Sequence, residues 1–236
     1  MIKKAKTIIH KWIDSSPSTR KPSLIKYHIQ QIGLFNYLRG NYYTDDYYSY
    51  SDNLETAYRN LANLLVKYIV GKSLIDIGCG SGLLLHLITQ KQLLREYVGL
   101  DFKENPTHIS YANIRQNYRY FDLAKSNADD TNICMETAIS VEVLEHIHRK
   151  KMDKVIQNIQ KMVQNRLILS VAKPGQWGDG HITCMPKSWW IGKISKLSFS
   201  FNRSLTQELN EAVKHNEVIV KEMSWILGNF LIFDKE

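Results

Sequence analysis

Four side chains able to ligate a metal or move a proton stand out by type and spacing. Glu142, Glu145 and His146 fall within five residues, and a helix begun near Glu142 would set them at i, i+3 and i+4 on one face. Two carboxylates and an imidazole so placed suit a divalent cation such as Mg²⁺, which holds a hydroxyl and lowers its pKa. His181 lies in a second polar stretch, Pro174-Gly175-Gln176-Trp177-Gly178-Asp179-Gly180-His181-Ile182-Thr183. It is read as a fourth ligand or a general base, because neutral imidazole titrates near working pH. The blander reading is that Glu142 and Glu145 complement a helix N-terminus while His146 only packs there. His148 is read as a surface residue.

A second chemical feature is the loop Asp76-Ile77-Gly78-Cys79-Gly80-Ser81-Gly82, between an apolar run, Ser73–Ile77, and a helical one, Leu83–Leu87. Glycines let the backbone turn sharply and approach a ligand with no Cβ in the way, and the helix N-terminus beyond offers free amides. Asp101 closes the next apolar run, where a carboxylate can accept both hydroxyl protons of a ribose. A nicotinamide-dinucleotide fingerprint pairs the same features but wants glycine where Leu83 stands. A ligand-free tight turn fits less well, because strand, aspartate, three glycines, helix and distal acid coincide.

Ser73–Leu83 resembles motif I of the class I S-adenosylmethionine (SAM)-dependent methyltransferases, and the resemblance extends over about 70–236. SAM carries no pyrophosphate, so such a loop can pass tightly under its amino-acid moiety. The resemblance implies Gly78, Gly80 and Gly82 along the methionine part, with Asp76 and Cys79 in the same binding loop. It implies Asp101 on the ribose with Phe102 beside it, Asp122 and Leu123 flanking the adenine, and Ser140 and Val141 bordering the sulfonium. The Glu-x-x-Glu-His run resembles segments of metal-dependent small-RNA 2′-O-methyltransferases and of ubiquinone-pathway O-methyltransferases. Similar runs occur in class I enzymes for which no metal is implied. The loop at Gly180-His181, with Pro186, Trp189 and Trp190 after it, resembles a bacterial and phage-like subgroup that carries Gly-His-x-Asn. Thr183 replaces that asparagine here, while Trp225 and Asn229–Phe233 match the subgroup's C-terminal pattern.

The elements that must position these groups follow from periodicity. Leu54, Ala57, Tyr58, Leu61, Leu64, Leu65 and Tyr68 repeat at helical steps, with Asp52 and Glu55 as a capping box. An earlier helix is read at about 23–38, and the tyrosine-rich segment Tyr42–Tyr50 between them as a loop. After residue 70, short apolar runs at Ser73–Ile77, Tyr97–Asp101, Tyr118–Phe121, Glu136–Ser140 and Arg166–Val171 alternate with helical patterns, the clearest at 152–164. That alternation predicts a mainly parallel sheet covered on both faces. Asn229–Phe233 reads as a last strand, which family topology makes antiparallel. The expected architecture is an α/β, Rossmann-like, seven-stranded, doubly wound sheet over 71–236, with an N-terminal helical cap or lid over 1–70.

Bulk properties bound the function. At 236 residues, 44% hydrophobic and 23% charged, the chain has the composition of an ordinary globular protein. No apolar run approaches the ~20 residues of a membrane span. His10, Lys11 and Asp14 interrupt the start of any signal-peptide pattern, so the expected location is cytoplasmic. Cys79, Cys134 and Cys184 lack disulfide or metal spacing and read as reduced, mostly buried thiols. The net charge of +8 draws heavily on Lys3, Lys4, Lys6, Lys11, Arg20, Lys21 and Lys26, most simply a solvated helical face. These features lead to an O-methyltransferase acting on a sugar or other small hydroxylated metabolite, with metal assistance as an option. The rival readings are an RNA methyltransferase, 2′-O or base, whose basic helices meet phosphate while tyrosines stack on bases, and a noncatalytic SAM-binding protein.

Overall fold

The computed structural model describes residues 54–236, apart from Trp177 and Asp179. The basic N-terminal cluster, the expected helix at 23–38, the Tyr42–Tyr50 loop and Asp52 of the expected capping box all lie outside the described residues. The first described helix, α1 (Glu55–Leu65), buries Ala57, Leu61, Ala62 and Leu65. These positions recur every three or four residues, so one stripe faces inward. Although α1 lies on the N-terminal side of the division expected at residue 70, its stripe belongs to the same apolar cluster as Leu74, Leu85 and Ile139 of the sheet domain.

Seven strands follow: β1 (Ser73–Ile77), β2 (Glu96–Asp101), β3 (Tyr118–Tyr120), β4 (Met135–Val141), β5 (Val163–Ser170), β6 (Phe199–Phe201) and β7 (Phe230–Lys235). Their order in the sheet is β3-β2-β1-β4-β5-β7-β6. The first five pair in parallel, and β7 runs antiparallel to both β5 and β6. The helices after α1 are α2 (Leu83–Thr89), α3 (Ala112–Gln116), α4 (Met152–Met162), α5 (Lys187–Ile194), α6 (Arg203–Lys214) and α7 (Glu217–Glu222).

Alternation along the strands divides the core between the two faces. Leu74, Ile139, Ile168 and Ile232 point to the side covered by α1, α2, α6 and α7. Ile75, Ile77, Ala138, Leu167, Leu169, Leu231 and Phe233 point to the side covered by α4 and α5. All five residues of β1 are buried, as expected of a central strand covered on both faces. The strand order reverses between β1 and β4, and in such sheets ligands bind beyond the strand C-termini where the reversal opens a crevice. The loops leaving β1 and β4 carry the two chemical features of the sequence.

Two local expectations need correction. Val163 begins β5 instead of ending the 152–164 helix, which stops at Met162. The helix expected to begin near Glu142 is replaced by one 3₁₀ turn, Leu144–His146. The thiols agree with the expectation of mostly buried groups: Cys79 and Cys184 are buried and Cys134 is exposed.

Candidate active site

The turn after β1 is built against β2. The amides of Gly78 and Cys79 both donate to the Leu100 carbonyl, at 2.8 and 2.9 Å, and Gly82 closes the turn by donating to Cys79 at 2.9 Å. Gly78 adopts φ +78°, and a Cβ there would lie 2.5 Å from Cγ2 of Val143. Both conformation and space therefore require glycine. The same contact brings the β1 loop directly against the turn after β4.

Asp101, at the end of β2, is 6% exposed. Its carboxylate accepts the Gly80 amide at 3.0 Å and the Phe102 amide at 2.7 Å, one on each oxygen. The two bonds orient the carboxylate against the loop. Asp76 is buried within range of its charge. Desolvation first, and the charge of Asp101 second, push the Asp76 carboxyl up to about 8. Burial, with Asp76 and Asp101 adding to it, also raises the Cys79 thiol well above its ordinary range. The remaining residues expected around a cofactor are placed variously. Phe102 is 44% exposed and Leu123 is buried, while Asp122 pairs with Lys125 at 3.1 Å. Val141 packs half-buried on the α1-side cluster. Ser140 donates its hydroxyl to the Ile77 carbonyl at 3.0 Å, so this group ties β4 to β1.

The acidic segment after β4 departs from the single helical face. Glu142 has φ +53°, outside right-handed helical space, and its carboxylate turns toward β5 and β7. It accepts from the Ser170 hydroxyl at 2.6 Å, the Gln176 amide at 2.7 Å and the Asn229 amide at 3.0 Å. Spacing within the segment could not reveal these partners, which lie 28, 34 and 87 residues away.

Glu145 is fully buried. Its Oε1 accepts the Ala172 amide at 3.1 Å, and its backbone carbonyl accepts both the Ile182 and Thr183 amides at 2.9 Å. Glu145 thus holds both feet of the loop that carries His181. Thr183 adds a hydroxyl bond to the Ile147 carbonyl at 2.7 Å. Burial, reinforced by Glu142, holds the Glu145 carboxyl well above the usual carboxylate range. The rings of His146 and His181 meet edge to face at 4.8 Å between centroids. A Cβ on Gly178 would stand 2.3 Å from Nε2 of His181, so the glycine leaves room for that ring.

Among the described residues, Glu145, His146 and His181 bring one ligand atom each to within 4.8 Å of one another. Glu142, expected as a fourth member, lies against Glu145 but accepts from Ser170, Gln176 and Asn229 and is not part of the converging ligand group. Three of the four candidate residues thus converge their ligand atoms, with Glu142 beside Glu145.

A family model described as "Methyltransferase domain" matches residues 50–212, well over half of the chain. The sequence matches no curated protein. Solved structures share the fold at low identity. A SAM-dependent methyltransferase from Archaeoglobus fulgidus is 16% identical, with TM-score 0.52, over 75% of this chain and 93% of its own. A methyltransferase solved with the Trm112 methyltransferase activator of Haloferax volcanii is 12% identical, with TM-score 0.55, over 81% and 96%. Coclaurine N-methyltransferase is 13% identical, with TM-score 0.51, over 77% and 70%.

Proposed function

We propose that this chain, which belongs to the methyltransferase-domain family, uses SAM to methylate a hydroxyl of a sugar or other small metabolite. The carrying observation is the close approach of Gly78 to Val143, which brings the glycine loop against the turn that carries Glu145 and His146. The cradle fits SAM: the loop amides orient the Asp101 carboxylate, and the turn at Gly78 has no side chain to fill it. When bound, SAM supplies a methyl group already activated on a sulfonium.

What remains for the protein is alignment of the acceptor, exclusion of water and removal of a proton. Gly78, Gly80 and Gly82 would hold the methionine part and Asp101 the ribose. His181 or His146 would take the acceptor's hydroxyl proton at a ring nitrogen. Glu145 fixes the approach, since it anchors both ends of the His181 loop.

A metal-assisted variant of the same reaction is favoured by the ligand geometry. With Glu142 engaged elsewhere, the donor set is one carboxylate and two imidazoles. Such a set suits Zn²⁺, Mn²⁺ or Fe²⁺ better than Mg²⁺, which prefers all-oxygen surroundings. A cation there would take the place of the proton that burial keeps on Glu145 and lower the pKa of an acceptor hydroxyl.

The test is transfer of labelled methyl from SAM to a panel of sugars, phenols and other small alcohols, with and without RNA. Labelled methyl ether in a small acceptor supports the reading. Label found only in RNA, or only on nitrogen, overturns it. Among the described residues no helix is long and apolar enough to cross a membrane.

A further inference from the structure

Helix α4 turns Met152, Val155, Ile156, Ile159 and Met162 into the core, and among them it buries one amide, Asn158, at 2% exposure. Asparagine is a weaker helix former than most of its neighbours, and a buried primary amide is costly unless bonded. All the bonds that offset this cost go to one loop. Oδ1 accepts the Ala128 amide at 3.0 Å, and Nδ2 donates to the carbonyls of Leu123 and Ser126 at 3.1 and 3.0 Å. One helical turn to either side, Lys154 donates to the Lys125 carbonyl at 2.7 Å and Lys161 pairs with Asp129. Residues 154, 158 and 161 share a helix face, so α4 presents a polar stripe to residues 122–129.

That loop leaves the end of β3 beside the candidate cofactor cradle. Phe121, just before it, donates its amide to the Asp101 carbonyl at 2.8 Å. Asp122 then folds the loop on itself, accepting the Ala124 amide on Oδ1 at 2.9 Å and the Ser126 amide on its carbonyl at 2.7 Å. The loop's shape is local, but its position relative to the sheet depends on α4. Asn158 supplies one acceptor and two donors to a single N–H and two carbonyls, a match that leucine lacks entirely and aspartate meets only in part.

We infer that Asn158 is a positioning residue for the purine end of the cofactor, holding the Asp122–Leu123 turn in the place where it meets the adenine ring. The inference rests on reading residues 76–102 as a SAM site and on the adenine position beside Asp122 and Leu123 that the family resemblance implies. The amide touches no reacting atom; it acts through the loop. This explains why a core-facing helix position carries asparagine where an apolar residue would pack more simply.

Isothermal titration with S-adenosylhomocysteine and its 6-oxo analogue S-inosylhomocysteine tests the inference. The wild type should prefer the adenine ligand. Asn158→Leu should weaken S-adenosylhomocysteine about tenfold and narrow the preference at least threefold, while denaturant unfolding stays cooperative. Asn158→Asp keeps the size and the acceptor but lacks both donors; it should act in the same direction and is the variant to read if Asn158→Leu does not fold. A merely structural role would weaken both ligands equally or neither. Either result, or a wild type indifferent to the purine edge, overturns the inference. A wild type that binds neither ligand overturns the cofactor reading itself.

Discussion

The side-chain amide of Asn229, at the entry to β7, donates to Glu142 at 3.0 Å and to Gln176 at 2.9 Å. This joins the turn after β4, the loop after β5 and the start of β7 into one buried network. Glu142 holds a backbone conformation uncommon for a residue with a Cβ, and the network makes that conformation tolerable. Asn229→Leu should therefore lower unfolding free energy by about 1–3 kcal/mol, the usual penalty for orphaning buried polar partners. Denaturant titration measures it, and a loss below about 0.5 kcal/mol, the scale of a neutral surface change, would show that the network is dispensable.

Gly78→Ala should damage binding and stability together, because the new methyl meets Val143 and φ +78° disfavours any side chain. The strained backbone alone costs about 1–2 kcal/mol. Adding Val143→Ala should relieve the clash but not the strain, so the double variant should recover only part of the lost thermal midpoint. Full recovery would mean that conformation matters little at this turn.

Stability should carry a pH signature from Asp76. Its folded-state value of about 8 lies above the ordinary value of 3.8, so the folded protein favours the protonated acid. That contribution is fully present below about pH 4 and is lost as pH rises through about 8. At about 1.4 kcal/mol per pKa unit, the ceiling is on the order of 6 kcal/mol. Asp76→Asn should flatten the decline over this range, measured by denaturant unfolding at several pH values. Parallel wild-type and variant profiles would remove Asp76 as the cause.

The metal-assisted reading makes a separable claim. Chelation should abolish transfer, and the metal content of the purified protein should fall in Glu145→Gln, His146→Ala and His181→Ala alike. Glu145→Gln keeps an acceptor for the Ala172 amide and should remain folded. Undiminished transfer in chelator leaves the histidines as bases without a cation.

Much of the fold was legible because its signals are local. The apolar run of β1, the glycines behind it and the periodic stripe of α4 each fall within a short window, and the alternation of strands with helices is how such sheets are written. β6 escaped because three residues, Phe199–Phe201, are too few to show a period of two. The helix begun at Glu142 was misread because its spacing fits a helical face, whereas its partners Ser170, Gln176 and Asn229 are far along the chain. Asn158 left a signal that could have been found: a polar residue inside an apolar helical stripe, which needs a buried partner. The pairing of His146 with His181 required the loop fold that Glu145 imposes, and no local pattern encodes that.

Titration of the purified protein with S-adenosylhomocysteine, alongside its Asp101→Ala variant, tests the cofactor site most directly. One molecule should bind per chain, and Asp101→Ala should weaken it by about tenfold or more, equivalent to about 1.4 kcal/mol. No binding to the wild type, or equal binding to a folded Asp101→Ala variant, would contradict the placement of SAM between the β1 glycine loop and the end of β2.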